Sequence, residues 1–223
     1  MRLILEISDA VRARVSQNFI VGIKVNSTEF QETGFQPEEA RQLCAALEAH
    51  QVDFVELSGG TYEKWFMTHL RESTKKREAF FMDFADVIVP GLTKTRAYIT
   101  GGLRTVGGMV QALATVDGVG MSRPLCQELS LCKDILHGKV QGAIIPKVEP
   151  GEFWLALMAG NAQMQQVGKG QEPVDLSDED IVQEFRTSFA AWKAKKSTDE
   201  ELLEYDWPET SVPTVPYAAA AVL

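Results

Sequence analysis

The chain has 223 residues, of which 45% are hydrophobic and 24% charged, and its formal net charge at pH 7 is -9. This hydrophobic content is sufficient for a folded core, which excludes disorder of the whole chain. The negative charge argues against an extended nucleic-acid surface, although it leaves room for a local basic pocket that binds a small anion.

Neither a membrane span nor a cysteine-based site is indicated. Glu6 and Asp9 interrupt the apolar N-terminus, and no segment reaches the roughly 18 to 20 apolar residues that cross a bilayer. The cysteines lack the paired spacing of a zinc site or a disulfide framework: Cys44, Cys126 and Cys132. We therefore expect a cytoplasmic protein with reduced cysteines, without a bound metal, and without a nucleic-acid or membrane partner.

The first elements in chain order are a helix, a strand and a second helix. Apolar residues recur every four positions at the N-terminus and predict a helix stripe formed by Leu3, Ile7, Val11 and Val15. The β-branched run that follows is typical of a parallel strand buried on both faces, and we expect it to end at Asn26. Pro37 and two glutamates begin the second helix, whose apolar face comprises Ala40, Leu43, Cys44 and Leu47.

The same strand and helix pattern then repeats. The segment DFVELSGG predicts a strand, and STKKREAFFMDFADVI predicts a helix with inward residues Phe80, Phe81, Phe84, Val87 and Ile88. A third strand, AYITGG, precedes a short helix capped by Thr105, and GVGMSR predicts the fourth strand. Because each connection is long enough for a helix, we expect parallel pairing and an α/β fold.

Four such units fit either a doubly wound sheet or part of a (β/α)8 barrel. In both architectures ligands bind at the carboxyl ends of the strands, which here carry polar residues and glycines: Lys24, Asn26, Ser58, Gly59, Gly60, Gly101, Gly102, Ser122 and Arg123. The segment KVNSTEF after the first strand is not a dinucleotide-binding fingerprint, which favours the barrel. If the third and fourth strands are the last two of a barrel, Gly101, Gly102 and Arg123 would cradle a phosphate.

The C-terminal third predicts helices and then a loose tail. A helix is expected from Glu152, and a second one, capped by Ser177, has an apolar stripe of Ile181, Phe185, Phe189 and Trp192. Acidic residues and prolines dominate the end of the chain. We therefore divide the chain into residues 1–150, a helical extension at 151–195 and a loose tail at 196–223.

Five segments together resemble the Old Yellow Enzyme family, the FMN-dependent NAD(P)H:flavin oxidoreductases, and most closely its fungal branch. They are VGIKVNSTEFQ, FVELSGGTYE, ESTKKREAFF, YITGGLRTVGGM and GVGMSRPLCQE. The similarity runs in order from about Arg2 to about Asp178. The resemblance implies the second half of a (β/α)8 barrel, about four βα units followed by C-terminal helices.

The resemblance also implies a cofactor and a reaction. FMN would bind at the carboxyl end of the barrel, accept a hydride from NAD(P)H and deliver it to the alkene of an α,β-unsaturated carbonyl compound. Lys24 matches the basic residue at the flavin's pyrimidine edge. Gly102, Leu103 and Arg104 match one phosphate loop, next to Gly101, and Ser122 and Arg123 match the second.

Simpler alternatives stay open for these residues. Lys24 could be a strand-end lysine that reaches water, and Arg123 could pair with an acidic residue at a helix end. Tyr62, Trp65 and His69 lie in a segment that covers the active site in the family, where packing of the loop itself is the simpler role.

The residues that anchor substrate and donate a proton in the family fall in the other half, so we assign no catalytic residue. We expect a truncated or degenerate oxidoreductase, because a half-barrel leaves two strand edges open. A second copy, the chain's own tail or a separate N-terminal half would have to cover them. The alternative is a non-catalytic homologue or structural partner that binds FMN weakly or not at all.

Overall fold

The computed structural model describes residues 1–27, 29, 34–59, 78, 81–148, 152–201, 203 and 206–217. The chain forms two compact units, Met1–Met121 and Ser122–Leu223. The predicted domain boundaries at residues 150 and 195 stay predictions. The predicted positions Gly60, Tyr62, Trp65, His69 and Phe80 lie outside the described residues.

The first unit alternates helices and parallel strands. Its elements are α1 (Arg2–Arg12), β1 (Gly22–Asn26), α2 (Pro37–Ala49), β2 (Phe54–Ser58), α3 (Met82–Ile88), a 3-10 turn (Val89–Gly91), β3 (Arg96–Thr100), α4 (Val106–Ala112) and β4 (Gly118–Gly120). The four strands form one sheet in the order β1-β2-β3-β4, and all pairs are parallel. The predicted parallel α/β organisation is confirmed. Each crossover joins neighbouring strands, whereas a doubly wound sheet reverses its strand order.

The two faces of the sheet differ in chemistry. One face is apolar and buried, and consists of Val25, Val55, Leu57, Ala97 and Ile99. The opposite face is mixed, and includes Lys24, Phe54, Glu56, Tyr98 and Thr100. The expectation that β1 is buried on both faces is therefore wrong, since Lys24 is exposed.

The apolar periodicity predicts the buried face of helix α2 correctly but not that of helix α1. The predicted face of α2 is confirmed, with Ala40, Cys44 and Leu47 fully buried. In α1, Leu3 is 71% exposed and the buried residue is Ser8. A repeat of four drifts around a helix of 3.6 residues per turn, so a stripe with that spacing cannot face the core along its whole length.

Of the helix predicted from STKKREAFFMDFADVI, the described residues contain α3. It begins at Met82, and Phe81 and Ile88 are buried as predicted. Val87, which was expected to face inward, is exposed. The predicted cap of α4 is confirmed, because the Thr105 hydroxyl oxygen accepts a hydrogen bond from the N–H of Gly108 at 3.0 Å.

The second unit is helical. It comprises α5 (Arg123–Gln127), α6 (Leu131–Leu136), α7 (Phe153–Gly168) and α8 (Glu179–Lys196). Its core joins α7 and α8 through Leu155, Met158, Ala159, Ala162, Val174, Leu176, Val182, Phe185 and Phe189. Asp178 rather than Ser177 caps α8, since its carboxylate accepts the N–H of Asp180 at 2.9 Å. The Ser177 hydroxyl instead donates to Asp175.

The tail of the second unit has more contacts than its composition predicts. The Trp192 indole donates to the Asp206 carboxylate at 3.1 Å, and the Thr210 hydroxyl donates to Glu184 at 2.6 Å. Gln171 and Pro216 form an antiparallel bridge. The segment 206–217 therefore follows α8 and the end of α7 instead of hanging free.

Candidate functional site

The carboxyl ends of the four strands lie at one edge of the sheet. Asn26 pairs with Ser58 in register, and Thr100 pairs with Gly120. The loop after β3, residues 101–105, therefore starts beside the end of β4. This is the edge where parallel α/β sheets bind ligands.

The loop after β3 requires glycine. Gly101 has φ +145° and Gly102 has φ +76°, values that L side chains rarely adopt. A Cβ on Gly101 would come 2.6 Å from the ring of Phe81, which is itself buried. The chain then continues into Leu103, whose side chain is buried and fixes the loop to the core.

The backbone N–H groups of this loop fall into two sets. The carboxylate of Glu78 accepts the N–H of Arg104 at 3.1 Å and that of Thr105 at 2.9 Å, together with the Thr105 hydroxyl. Within the described part of the chain, no protein acceptor is found for the N–H groups of Gly102 and Leu103. Two donors at the ligand-binding edge are thus available to an anion, whereas the N–H of Arg104 is already used.

Lys24 belongs to a polar row on the mixed face of the sheet. Its ammonium group forms an ion pair with Glu56, its register neighbour on β2. Burial pushes the pKa of Glu56 upward, but hydrogen bonds from Lys24 and from Thr100 outweigh that effect and hold the pKa below its usual range. Lys24 is therefore exposed and already has a carboxylate partner.

Ser122 and Arg123 open the second unit. Ser122 is exposed, while the Arg123 guanidinium is partly buried and lies 5.7 Å from the centre of the Phe153 ring. Burial lowers the pKa of Arg123, although an arginine remains charged at neutral pH. Across the described residues no carboxylate lies within ion-pair distance of Arg123, so the expected acidic partner at a helix end is not found.

The structure brings some of the predicted residues together. Gly101, Gly102, Leu103 and Arg104 form one loop at the predicted edge, and Lys24 lies on the same sheet. Ser122 and Arg123 belong to the other unit. That both loops bind one phosphate therefore stays a prediction.

Two carboxylates beside these residues were missed by the sequence reasoning. Glu56 is the single charged residue of β2 and Lys24 that of β1, a pattern that could have suggested the pair. Glu78 has no comparable signal, because its partners lie 26 and 27 residues further along the chain.

Among the described residues, no group of three histidine, cysteine, aspartate or glutamate side chains is placed to hold a metal ion. None of the helices in that part of the chain combines the length and the apolar character needed to span a bilayer.

Comparison with curated proteins identifies relatives. The sequence is 45% identical over 228 aligned residues to the NADH-dependent flavin oxidoreductase nadA of Aspergillus parasiticus, covering 99% of this chain and 50% of that protein. This chain is a homologue of the fungal NADH-dependent flavin oxidoreductases. The resemblance to fungal flavin oxidoreductases inferred from the sequence is thereby confirmed. No protein-family model matches the sequence.

Two more of these flavin oxidoreductases match over shorter stretches. The protein iliE of a Neonectria species is 31% identical over 69% of this chain and 21% of its own length. The protein iccE of Talaromyces variabilis is 37% identical over 55% of this chain and 32% of its own length. The chain thus spans half the length of nadA, and these alignments cover smaller shares of the other two.

A solved structure shares the fold. The complex of 2-naphthoyl-CoA reductase with 2-naphthoyl-CoA superposes with a TM-score of 0.59, covering 84% of this chain and 27% of that one. At 18% sequence identity the likeness concerns the fold alone.

Proposed function

We propose that this chain forms the FMN-binding half of an NAD(P)H-dependent oxidoreductase of the ene-reductase type, which reduces α,β-unsaturated carbonyl compounds. The observation that carries the proposal is the pair of N–H groups at Gly102 and Leu103, which lack a protein acceptor in the described structure at the carboxyl end of β3. The names of the homologues, which specify NADH and a flavin, support it.

The sheet fits four of the eight strands of a (β/α)8 barrel. Its order is sequential and parallel, and its buried face is the one that the helices of a barrel would cover. In the described sheet β1 pairs with β2 and β4 pairs with β3, which leaves one edge of each outer strand available. The mixed face would then line the barrel interior, and four further strands, from the other half of the relatives' length or from a second copy, would close it.

The residues of this chain fit the FMN phosphate. The N–H groups of Gly102 and Leu103 would donate to its oxygens, and a side chain on Gly101 is excluded by the Phe81 ring. Arg123 would add a positive charge that is partly desolvated and has no carboxylate partner in the described part of the protein. Such a guanidinium suits a phosphate, which it can bind in a bidentate manner.

Lys24 would serve the other end of the cofactor. When bound, FMN supplies hydride-transfer chemistry between NAD(P)H and the alkene. Lys24 would place an ammonium group at the pyrimidine edge and favour the anionic, reduced flavin. The substrate anchor and the proton donor are not assigned to any described residue, so turnover would require the remaining half. In the alternative function the chain is not catalytic. It binds FMN without turnover, or it acts as a structural partner of a full-length relative.

FMN titration of an arginine variant tests the phosphate site. Arg123→Ala should weaken FMN binding about tenfold or more, because a charge-assisted hydrogen bond contributes about 1.5 to 3 kcal/mol. Flavin fluorescence measures the dissociation constant. Arg96→Ala is the matched control, since it removes one exposed arginine at the opposite end of β3. Equal affinity in the unsubstituted chain and the Arg123 variant would contradict the phosphate assignment.

A second measurement separates an enzyme from a binding protein. NADH or NADPH is added under anaerobic conditions to the FMN-loaded chain mixed with the half of nadA that this chain does not span, and the flavin absorbance is followed. Bleaching, followed by reoxidation when an enone is added, would establish the ene-reductase. Retention of FMN without bleaching would favour the binding role, and failure to retain FMN at all would refute the proposal.

A further inference from the structure

The polar row on the mixed face of the sheet joins three neighbouring strands. Glu56 on β2 is the central member. Its register neighbours are Lys24 on β1 and Tyr98 on β3, and Thr100 follows two residues after Tyr98 on the same face. The Lys24 ammonium group donates to one Glu56 oxygen. Thr100, on the other flanking strand, helps to lower the pKa of Glu56. The carboxylate is thus in direct contact with Lys24 and is stabilised in its charged form from both flanking strands.

This arrangement restricts Lys24. An exposed lysine usually samples many rotamers at little cost, because its stem is flexible and its ammonium group is well hydrated. The Lys24 side chain is 55% exposed but that of Glu56 only 30%, so the carboxylate is the more fixed partner of the pair. The position of Glu56 therefore determines where the charge of Lys24 lies on this face.

The pair also changes the electrostatic field of the face. A lone ammonium group would present a full positive charge, whereas an ammonium group in contact with a carboxylate presents mainly a dipole. The mixed face is the one that would line the cofactor chamber in the proposed function. A group bound there would experience a positive potential that Glu56 reduces.

We propose that Glu56 is a positioning residue that holds Lys24 against β2 and thereby lowers the reduction potential of the bound flavin. The proposal rests on the proposed FMN function. Releasing Lys24 from Glu56 would bring a less compensated positive charge to the pyrimidine edge. That charge favours the anionic reduced form, so the flavin would become easier to reduce.

The test measures the flavin potential rather than turnover. Glu56→Gln keeps the size and one acceptor oxygen but removes the charge. It should favour reduced over oxidised FMN by about tenfold, which corresponds to about +30 mV for a two-electron couple. A spectroscopic redox titration against a reference dye gives the value. Glu6→Gln, which removes an exposed carboxylate paired with Arg2 on α1, is the charge-matched control and should leave the potential unchanged.

A double-substitution cycle distinguishes positioning from a direct charge effect. In a Lys24→Met background there is no ammonium group to release, so Glu56→Gln should shift the potential by less than half as much. An equal shift in both backgrounds would overturn the proposal, as would no shift in the single variant. Glu56→Asp, which retains the charge, should stay closer to the original potential than Glu56→Gln.

The FMN-free protein supplies an independent check of the pair. Denaturant unfolding of the two single variants and the double variant should give non-additive changes, because both substitutions break the same contact. Additive changes in the free energy of unfolding would show that Lys24 and Glu56 do not stabilise each other, and would overturn the proposal. If the chain retains no FMN, the proposed function fails and this inference with it. If FMN binds but its reduction potential does not change in Glu56→Gln, only this inference fails.

Discussion

The two ends of the same parallel sheet differ in how fully carboxylates pair their backbone N–H groups. At the amino end, carboxylates bind backbone N–H groups of the strands and loops. Asp53 accepts the N–H of Val21 at 2.6 Å, and Asp117 accepts that of Ala97 at 2.9 Å. Glu48 accepts three consecutive N–H groups, from Thr93 to Thr95.

The carboxyl end leaves donors unused. Glu78 binds the N–H groups of Arg104 and Thr105, but Gly102 and Leu103 have no acceptor in the described structure. The backbone there is also held in a conformation that only glycine adopts readily. In the described structure the amino end thus pairs its N–H groups with carboxylates, whereas the carboxyl end retains two N–H groups that the proposed FMN phosphate would use.

The largest expected effect is at the carboxyl end, from Gly101→Ala. The new Cβ would contact the buried Phe81 ring in a backbone conformation already unfavourable for alanine. We expect a loss of about 3 kcal/mol in the free energy of unfolding, measured by denaturant titration. FMN binding should weaken in parallel because the loop would shift.

A second glycine provides the control for that substitution. Gly107 lies in α4, and among the described residues a Cβ there would meet only the Thr105 hydroxyl, at 4.0 Å. Gly107→Ala should leave stability unchanged or raise it slightly, since alanine favours a helix. Equal losses in both variants would show that strain in the loop is not what distinguishes Gly101.

The next effect is at the amino end, from Glu48→Ala. Three N–H groups would lose their acceptor, and that of Thr95 belongs to a buried residue. We expect a loss of about 2 kcal/mol at pH 7 without a change in FMN affinity. A large change in FMN affinity would contradict the division of roles between the two ends.

The same residue predicts how stability depends on pH. Burial pushes the pKa of Glu48 upward, but the N–H donors and the Thr93 hydroxyl outweigh that effect and lower the pKa to about 2. An unfolded glutamate has a pKa of about 4.3, so the stabilisation is complete above that pH and is lost as the pH falls toward 2. The stability difference between the unsubstituted chain and Glu48→Ala should therefore shrink between pH 5 and pH 2.

The sequence predicts the elements of this sheet better than the contacts between them. The end of β1 at Asn26, the buried face of α2 and the Thr105 cap depend on local patterns, and all three are confirmed. The pairing of Lys24 with Glu56 depends on the register of two strands that are 32 residues apart. No local pattern specifies that register.

The candidate site was predictable to a similar degree. Adjacent glycines after an apolar run indicate a loop that approaches a ligand. Gly101 and Gly102 do have the positive φ angles that favour glycine in such a loop. Which N–H groups of the loop are already bound by a carboxylate was not predictable, because Glu78 belongs to a distant segment of the sequence. Which donors remain for an anion is thus a property of the tertiary structure.

The smallest expected effect separates backbone anchoring from ion pairing at the amino end. Arg96 pairs with Asp117, but the arginine side chain is 69% exposed. Arg96→Ala should therefore cost less than about 0.5 kcal/mol, because exposed ion pairs are screened by water and salt. Asp117 would still accept the N–H of Ala97. A loss several times larger in denaturant unfolding would mean that the ion pairs, and not the backbone acceptors, hold this end of the sheet together.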